Sequence, residues 1–96
     1  MTFLLTAWDG ADADALSRRL AAREAHLANI RKLASDGTLI FAGAMLDDAG
    51  KMIGSTVVLE APDRTAAEAV VRADPYIAAG VWVRWELSNF RIAPIK

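Results

Sequence analysis

A chain of 96 residues, 54% hydrophobic and 24% charged with a net charge of −1, suits one compact domain and is too apolar for disorder. The balanced charge excludes nucleic-acid binding driven by a basic surface. With no cysteine and a single histidine, disulfides, a cysteine nucleophile, thiolate metal sites and a multi-histidine zinc site within one chain are excluded.

The apolar start, Met1 to Trp8, lacks a basic leader and meets Asp9 too soon for an export signal. No run approaches the roughly 18 apolar residues of a membrane span. A cytoplasmic protein with no membrane partner is expected. Thr2 to Trp8 reads as a strand, with Phe3, Leu5 and Ala7 on one face and Leu4, Thr6 and Trp8 on the other. Asp9-Gly10-Ala11-Asp12 supplies turn residues, and a helix follows from Ala13 or Asp14 to Ser35-Asp36, with Gly37 as a left-handed cap.

That helix is the most informative element. At about 100° per residue, Leu16, Leu20, Leu27, Ile30 and Ala34 fall on one stripe, with Arg23 inside it and Arg19 and His26 along its edge. A guanidinium within an apolar face is costly unless an anion meets it. Arg19 and Arg23 can clamp a carboxylate or enolate oxygen of a small substrate, or pair internally with Asp9 or Asp74.

Thr38 to Leu46 and Gly54 to Glu60 read as strands joined by a hairpin loop at Asp47 to Lys51. Gly43 permits close approach of backbone or ligand. A small-residue helix begins at Pro62-Asp63, where a Thr65/Glu68 capping box competes with Asp63 as N-cap, and ends at Asp74 before Pro75. Asp74-Pro75 also suits a fresh helical turn over Tyr76 to Ala79, closed by Gly80. Val81 to Phe90 is the last strand, with Val81, Val83, Trp85 and Leu87 on an apolar face and Trp82, Arg84, Glu86, Ser88 and Phe90 on a mixed one.

The order predicts an α+β, ferredoxin-like βαββαβ fold over 1–96: a four-stranded antiparallel sheet with two helices on one face. The other face then shows Leu4/Trp8 or Phe3/Leu5, with part of Phe41/Met45 or Leu46, an apolar area larger than a soluble monomer usually exposes. A face-to-face homodimer covers it. A polar open face speaks against that assembly.

The ordered stretches Arg19-x3-Arg23-x2-His26-Leu27, Gly37-Thr-Leu-Ile-Phe-Ala-Gly43, Gly54-Ser55-Thr-Val-Val, Asp74-Pro75-Tyr76, Ala79-Gly80-Val81 and Asn89-Phe90-Arg91 resemble the YciI-like (YCII-related) domain family. The resemblance implies a ferredoxin-like fold, a dimeric α/β-barrel assembly and an active site built around His26 and Asp74. Ala44 departs from it, since many relatives carry proline there, which bears on loop stiffness.

His26 alone has an ordinary pKa near neutrality, which suits proton transfer, and the resemblance brings Asp74 to one ring nitrogen. Structural readings stand beside these: a satisfied histidine at a helix edge, and a capping aspartate. Ser55 can donate a hydrogen bond to a ligand, but no G-x-S-x-G elbow makes it a hydrolase nucleophile. Tyr76, Trp8, Trp82 and Trp85 can wall a pocket or fill core and interface. The six scattered glycines form no phosphate loop or dinucleotide fingerprint, and no acidic cluster has calcium-loop spacing, so no cofactor and no metal is expected.

The reading is a small cofactor-independent enzyme in which His26 and Asp74 carry general acid/base chemistry, of isomerisation, elimination or hydrolysis type, on a small organic acid bound by Arg23, Arg19, Ser55 and Tyr76. A non-catalytic ligand-binding module and a structural dimerisation domain are the alternatives.

Overall fold

The elements run β1 (Thr2–Asp9), α1 (Ala15–Ser35), β2 (Leu39–Leu46), β3 (Met52–Glu60), α2 (Arg64–Arg72), α3 (Pro75–Ala78) and β4 (Trp82–Asn89). The computed structural model describes residues 1–95. The strands form one antiparallel sheet in the order β2-β3-β1-β4, the ferredoxin-like arrangement.

In the centre of the sheet Leu5 faces both Val57 and Leu87, and Phe3 faces Leu59. Together with Ala7, these side chains form the core with Ala67, Val71 and Tyr76. Each fully buried Leu, Phe or Val contributes about 1.5–3 kcal/mol, so this layer fixes the register. It therefore leaves Leu4, Thr6 and Trp8 on the open face.

Register builds that open face in rows across β2, β3, β1 and β4: Met45-Gly54-Trp8-Arg84, then Gly43-Thr56-Thr6-Glu86, then Phe41-Val58-Leu4-Ser88. The apolar face expected from sequence is thus divided by a polar middle row. Phe41 is 53% exposed, whereas Val58 is fully buried. The Arg84 guanidinium lies 3.8 Å from the centre of the Trp8 ring. A Cβ at Gly54 would collide with the Ala7 carbonyl and the Met45 methyl, so glycine lets the two central strands close.

The helix ends follow local chemistry. Asp63 caps α2 by accepting from the Ala66 N–H at 2.8 Å, so the aspartate prevails over the Thr65/Glu68 box. Gly37, at φ 84°, follows the C-cap Asp36 of α1, and Gly80, at φ 71°, follows the C-cap Ala79 of α3. Arg18 pairs with Asp12 at 2.8 Å and donates to the Gly80 carbonyl at 3.1 Å, tying the start of α1 to the turn before β4.

Two expectations are corrected. The inward residues of α1 are Ala15, Arg19 and His26, while Leu20 is 53% exposed and Arg23 is also exposed. Alanine is so frequent in this helix that its apolar periodicity is shallow, and the polar contacts of Arg19 and His26 decide which side faces in. In β4, Trp8 sits opposite Arg84 but Asp9 opposite Trp82, so Val83 is the extra residue of a β-bulge. The bulge turns Trp82 toward the helices and leaves Val83 64% exposed, the reverse of simple alternation.

Candidate active site

Between α1 and the β2–β3 half of the sheet lies a cleft of about 240 Å³. Leu27, Ile30 and Val57 supply apolar wall, and Ala42, Gly43 and Ala44 keep the β2 side low. Arg19, Arg23, His26, Ser55 and Tyr76 bring polar groups to it, so all five of these sequence-predicted residues meet in one place. Asp74, the sixth, stands behind His26.

His26 Nδ1 lies 2.8 Å from Asp74 Oδ1 and 3.0 Å from Oδ2, with both residues buried. An ionised carboxylate only accepts, so Nδ1 carries the proton and, in the neutral ring, Nε2 keeps the lone pair. Asp74 has extended backbone (φ −68°, ψ 133°) at the N-cap of α3, where Oδ1 also accepts from the Tyr76 N–H at 2.8 Å. Capping and orienting the histidine are therefore done by one carboxylate. Tyr76 stacks flat on the imidazole at 3.8 Å and 8°, and Trp82 meets it edge-on at 5.8 Å. Ring plane and tautomer are both held.

Arg19 is the buried cation of the site. Its Nη1 donates to both oxygens of Asp9, at 2.9 and 3.0 Å, and its Nη2 donates to Ser55 Oγ at 2.9 Å. Its carbon Cζ lies 5.0 Å from the centre of the Tyr76 ring. Trp82 Nε1 donates to the same Ser55 oxygen at 3.2 Å. Two donors thus occupy both lone pairs of Oγ, which leaves Ser55 its proton to give and no free pair for nucleophilic attack. Arg23 is exposed at the cleft and pairs with no carboxylate among the described residues.

Burial pushes the Tyr76 phenol above its ordinary pKa, with the Arg19 and Arg23 cations opposing. Among the described residues no group of three or more His, Asp or Glu side chains is placed to hold a metal ion.

Asp9 and Trp82 contribute more than sequence assigns them. Asp9 stands in a turn-like run and is read there only as a possible ion-pair partner. Trp82 falls on the mixed face of β4 until the bulge is known. Trp8 lies on the open sheet face and Trp85 lies under Arg72 at 5.1 Å, so neither walls the cleft.

Residues 1–91 match the YCII-related domain. Protein YciI of Escherichia coli O6:H1 is 39% identical over 97 aligned positions, covering 95% of this chain and 97% of that protein. An uncharacterized protein of Haemophilus influenzae is 37% identical over 73 positions, 70% of this chain and 74% of its own. Among solved structures, the 5-chloro-2-hydroxyhydroquinone dehydrochlorinase of Burkholderia phenoliruptrix, in complex with 2,5-dihydroxybenzoquinone, aligns with a TM-score of 0.82 at 24% identity, covering 97% of this chain and 96% of that one. A dimeric ferredoxin-like protein of unknown function from Jannaschia sp. CCS1 aligns with a TM-score of 0.52 at 12% identity, covering 95% and 98%. Likenesses at these identities speak to the fold. No helix among the described residues is long and apolar enough to cross a membrane.

Proposed function

The chain belongs to the YCII-related domain family, and on that footing we propose that it is a small cofactor-independent enzyme using His26 and Asp74 for general acid/base chemistry on a small organic acid. The observation that carries this reading is the 2.8 Å contact of His26 Nδ1 with Asp74, made by a histidine that lines a cleft of about 240 Å³. With Nδ1 engaged by Asp74, Nε2 is the nitrogen assigned in this reading to exchange a proton with the substrate.

In the proposed step Nε2 takes a proton from the substrate, and Asp74 stabilises the imidazolium that results. The electron pair left behind either forms a new double bond as a leaving group departs with its own bonding pair, or stays as an enolate until the proton returns at another carbon. Negative charge gathering on a substrate oxygen meets Arg23 and the Ser55 hydroxyl. The dehydrochlorinase that shares this fold acts on a chlorinated hydroquinone, and a flat ring bearing oxygens suits a cleft of apolar walls with donors on one side.

We propose in addition that the open sheet face pairs with a second copy of the chain. The exposed Phe41 on that face, with Leu4 in its row, and the Trp8–Arg84 stack support this, and the fold-sharing protein from Jannaschia is dimeric. A charge introduced as Phe41→Lys then shifts the sedimentation of the protein toward the monomer. Unchanged sedimentation sinks this assembly.

The test of activity is turnover of a panel of chlorinated hydroquinols and small cyclic acids, followed by chloride release and absorbance across pH. Turnover that disappears in His26→Gln supports the reading. Specific binding without turnover in any member points to a ligand-binding module instead, and neither binding nor turnover points to a dimerisation domain.

A further inference from the structure

We propose that Asp9 is a positioning residue of the cleft, acting through Arg19 to hold the Ser55 hydroxyl as a hydrogen-bond donor to the bound ligand. This rests on the reading of the cleft as a small-molecule site.

Stability does not by itself call for a carboxylate at this place. Asp9 and Arg19 expose only 3% and 4% of their side chains, and apolar residues of equal volume often serve as well as such a buried pair. The pairing geometry is also unusual in a useful way. Both oxygens of Asp9 sit on Nη1, at 2.9 and 3.0 Å, whereas a two-pronged pairing engages two guanidinium nitrogens. Nη2 is thereby left for Ser55. Nε is buried without a hydrogen-bond partner among the described residues, so the guanidinium is not placed to satisfy its own donors.

The hydroxyl completes the argument. Guanidinium and indole N–H groups donate and cannot accept, so Arg19 and Trp82 together force Ser55 to send its proton elsewhere. Ser55 is 2% exposed and lines the cleft, and no protein acceptor for its proton stands among the described residues. An acceptor oxygen on a ligand suits a hydroxyl that is held as a donor toward the cleft. The β-bulge matters here because it sets Trp82 directly opposite Asp9, so one position of the sheet supplies both supports of the hydroxyl.

The experiment compares wild type, Asp9→Asn, Ser55→Ala and the double variant, with 2,5-dihydroxybenzoquinone as the probe. Asp9→Asn keeps the shape of the side chain and removes its charge. Its expected signature without ligand is a moved and faster-exchanging Trp82 indole N–H in NMR spectra, as in Ser55→Ala, while the His26 ring signals at the same pH stay in place. With the probe, each single variant weakens binding by up to about tenfold, the order of one neutral hydrogen bond, and the double is no weaker than Ser55→Ala.

An unmoved indole signal, or losses that multiply in the double variant, would overturn the proposal. Should Asp9→Asn fail to fold, Asp9→Leu with Arg19→Met removes both charges together. That protein is expected to bind the probe as weakly as Ser55→Ala, and wild-type affinity there counts against Asp9. If wild type itself ignores the probe, the small-molecule reading of the cleft fails for this ligand class, while the indole signal still decides whether Asp9 reaches Ser55.

Discussion

Two buried carboxylates each hold a nitrogen side chain on the same face of α1, seven residues apart, and the pairs differ in one respect that bears on their use. Asp74 holds an imidazole, whose ring has one nitrogen beyond the one engaged and can both give and take a proton there, whereas Asp9 holds a guanidinium, which stays charged and only donates. Tyr76 lies against both, stacked on His26 and under Arg19. The first pair can move charge and the second can only fix it. In the proposed function, equal burial therefore serves an acid/base group in one case and a scaffold in the other.

The largest expected effect tests that division at the titratable pair. His26→Gln removes the acid/base group and lowers turnover by about 10²–10⁴-fold, measured as kcat/KM on whichever panel member reacts. A loss under about threefold would remove His26 from the chemistry.

The permanent pair is broken next. Asp9→Ala leaves a buried guanidinium unpaired and destabilises the fold by about 3–5 kcal/mol in urea unfolding, whereas Asp9→Leu with Arg19→Met is close to neutral. If both variants lose the same stability, charge pairing is not what holds this region.

A finer cut separates the two tasks of Asp74. Asparagine is a good N-cap, so Asp74→Asn retains the bond to the Tyr76 N–H and loses only the charge that supports His26. Asp74→Ala loses the cap as well and costs about 1 kcal/mol more in unfolding free energy. Equal stabilities for the two variants would show that the cap contributes nothing.

The smallest effect concerns Tyr76 and alkaline pH. Burial raises its pKa in the folded state, so the native protein holds the phenolic proton more tightly than the unfolded chain. That contribution is intact below the unfolded value near 10 and is lost as pH rises through the folded value. Stability measured against pH should fall there, and Tyr76→Phe should flatten the fall. An unaltered slope in the variant assigns the alkaline limb to other groups.

Legibility in the sequence followed the strength of local signals. The βαββαβ order, the Asp74-Pro75 start of α3 and the Gly37 and Gly80 caps rest on residues with one strong backbone preference each. The family pattern points to His26 and Asp74, while Arg19, Arg23, Ser55 and Tyr76 are candidates on side-chain chemistry alone, and the fold brings them to one cleft. Which arginine is buried did not follow, because an alanine-rich helix has no steep apolar gradient to orient it. The bulge at Val83 was hidden for a related reason: a strand of alternating side chains looks continuous through one inserted residue. With it were hidden the inward turn of Trp82 and the site-facing place of Asp9 opposite.

The shared carboxylate of Asp74 constrains the history this chain can have. A lineage without use for the imidazole would meet a weaker constraint at His26 than at Asp74, because among the described residues the ring bonds only to the Asp74 side chain and to no backbone group. Position 74 would remain tethered, since the first turn of α3 still needs an acceptor there. Decay of the pair should thus be ordered, with the histidine drifting first and aspartate or asparagine lingering as its trace.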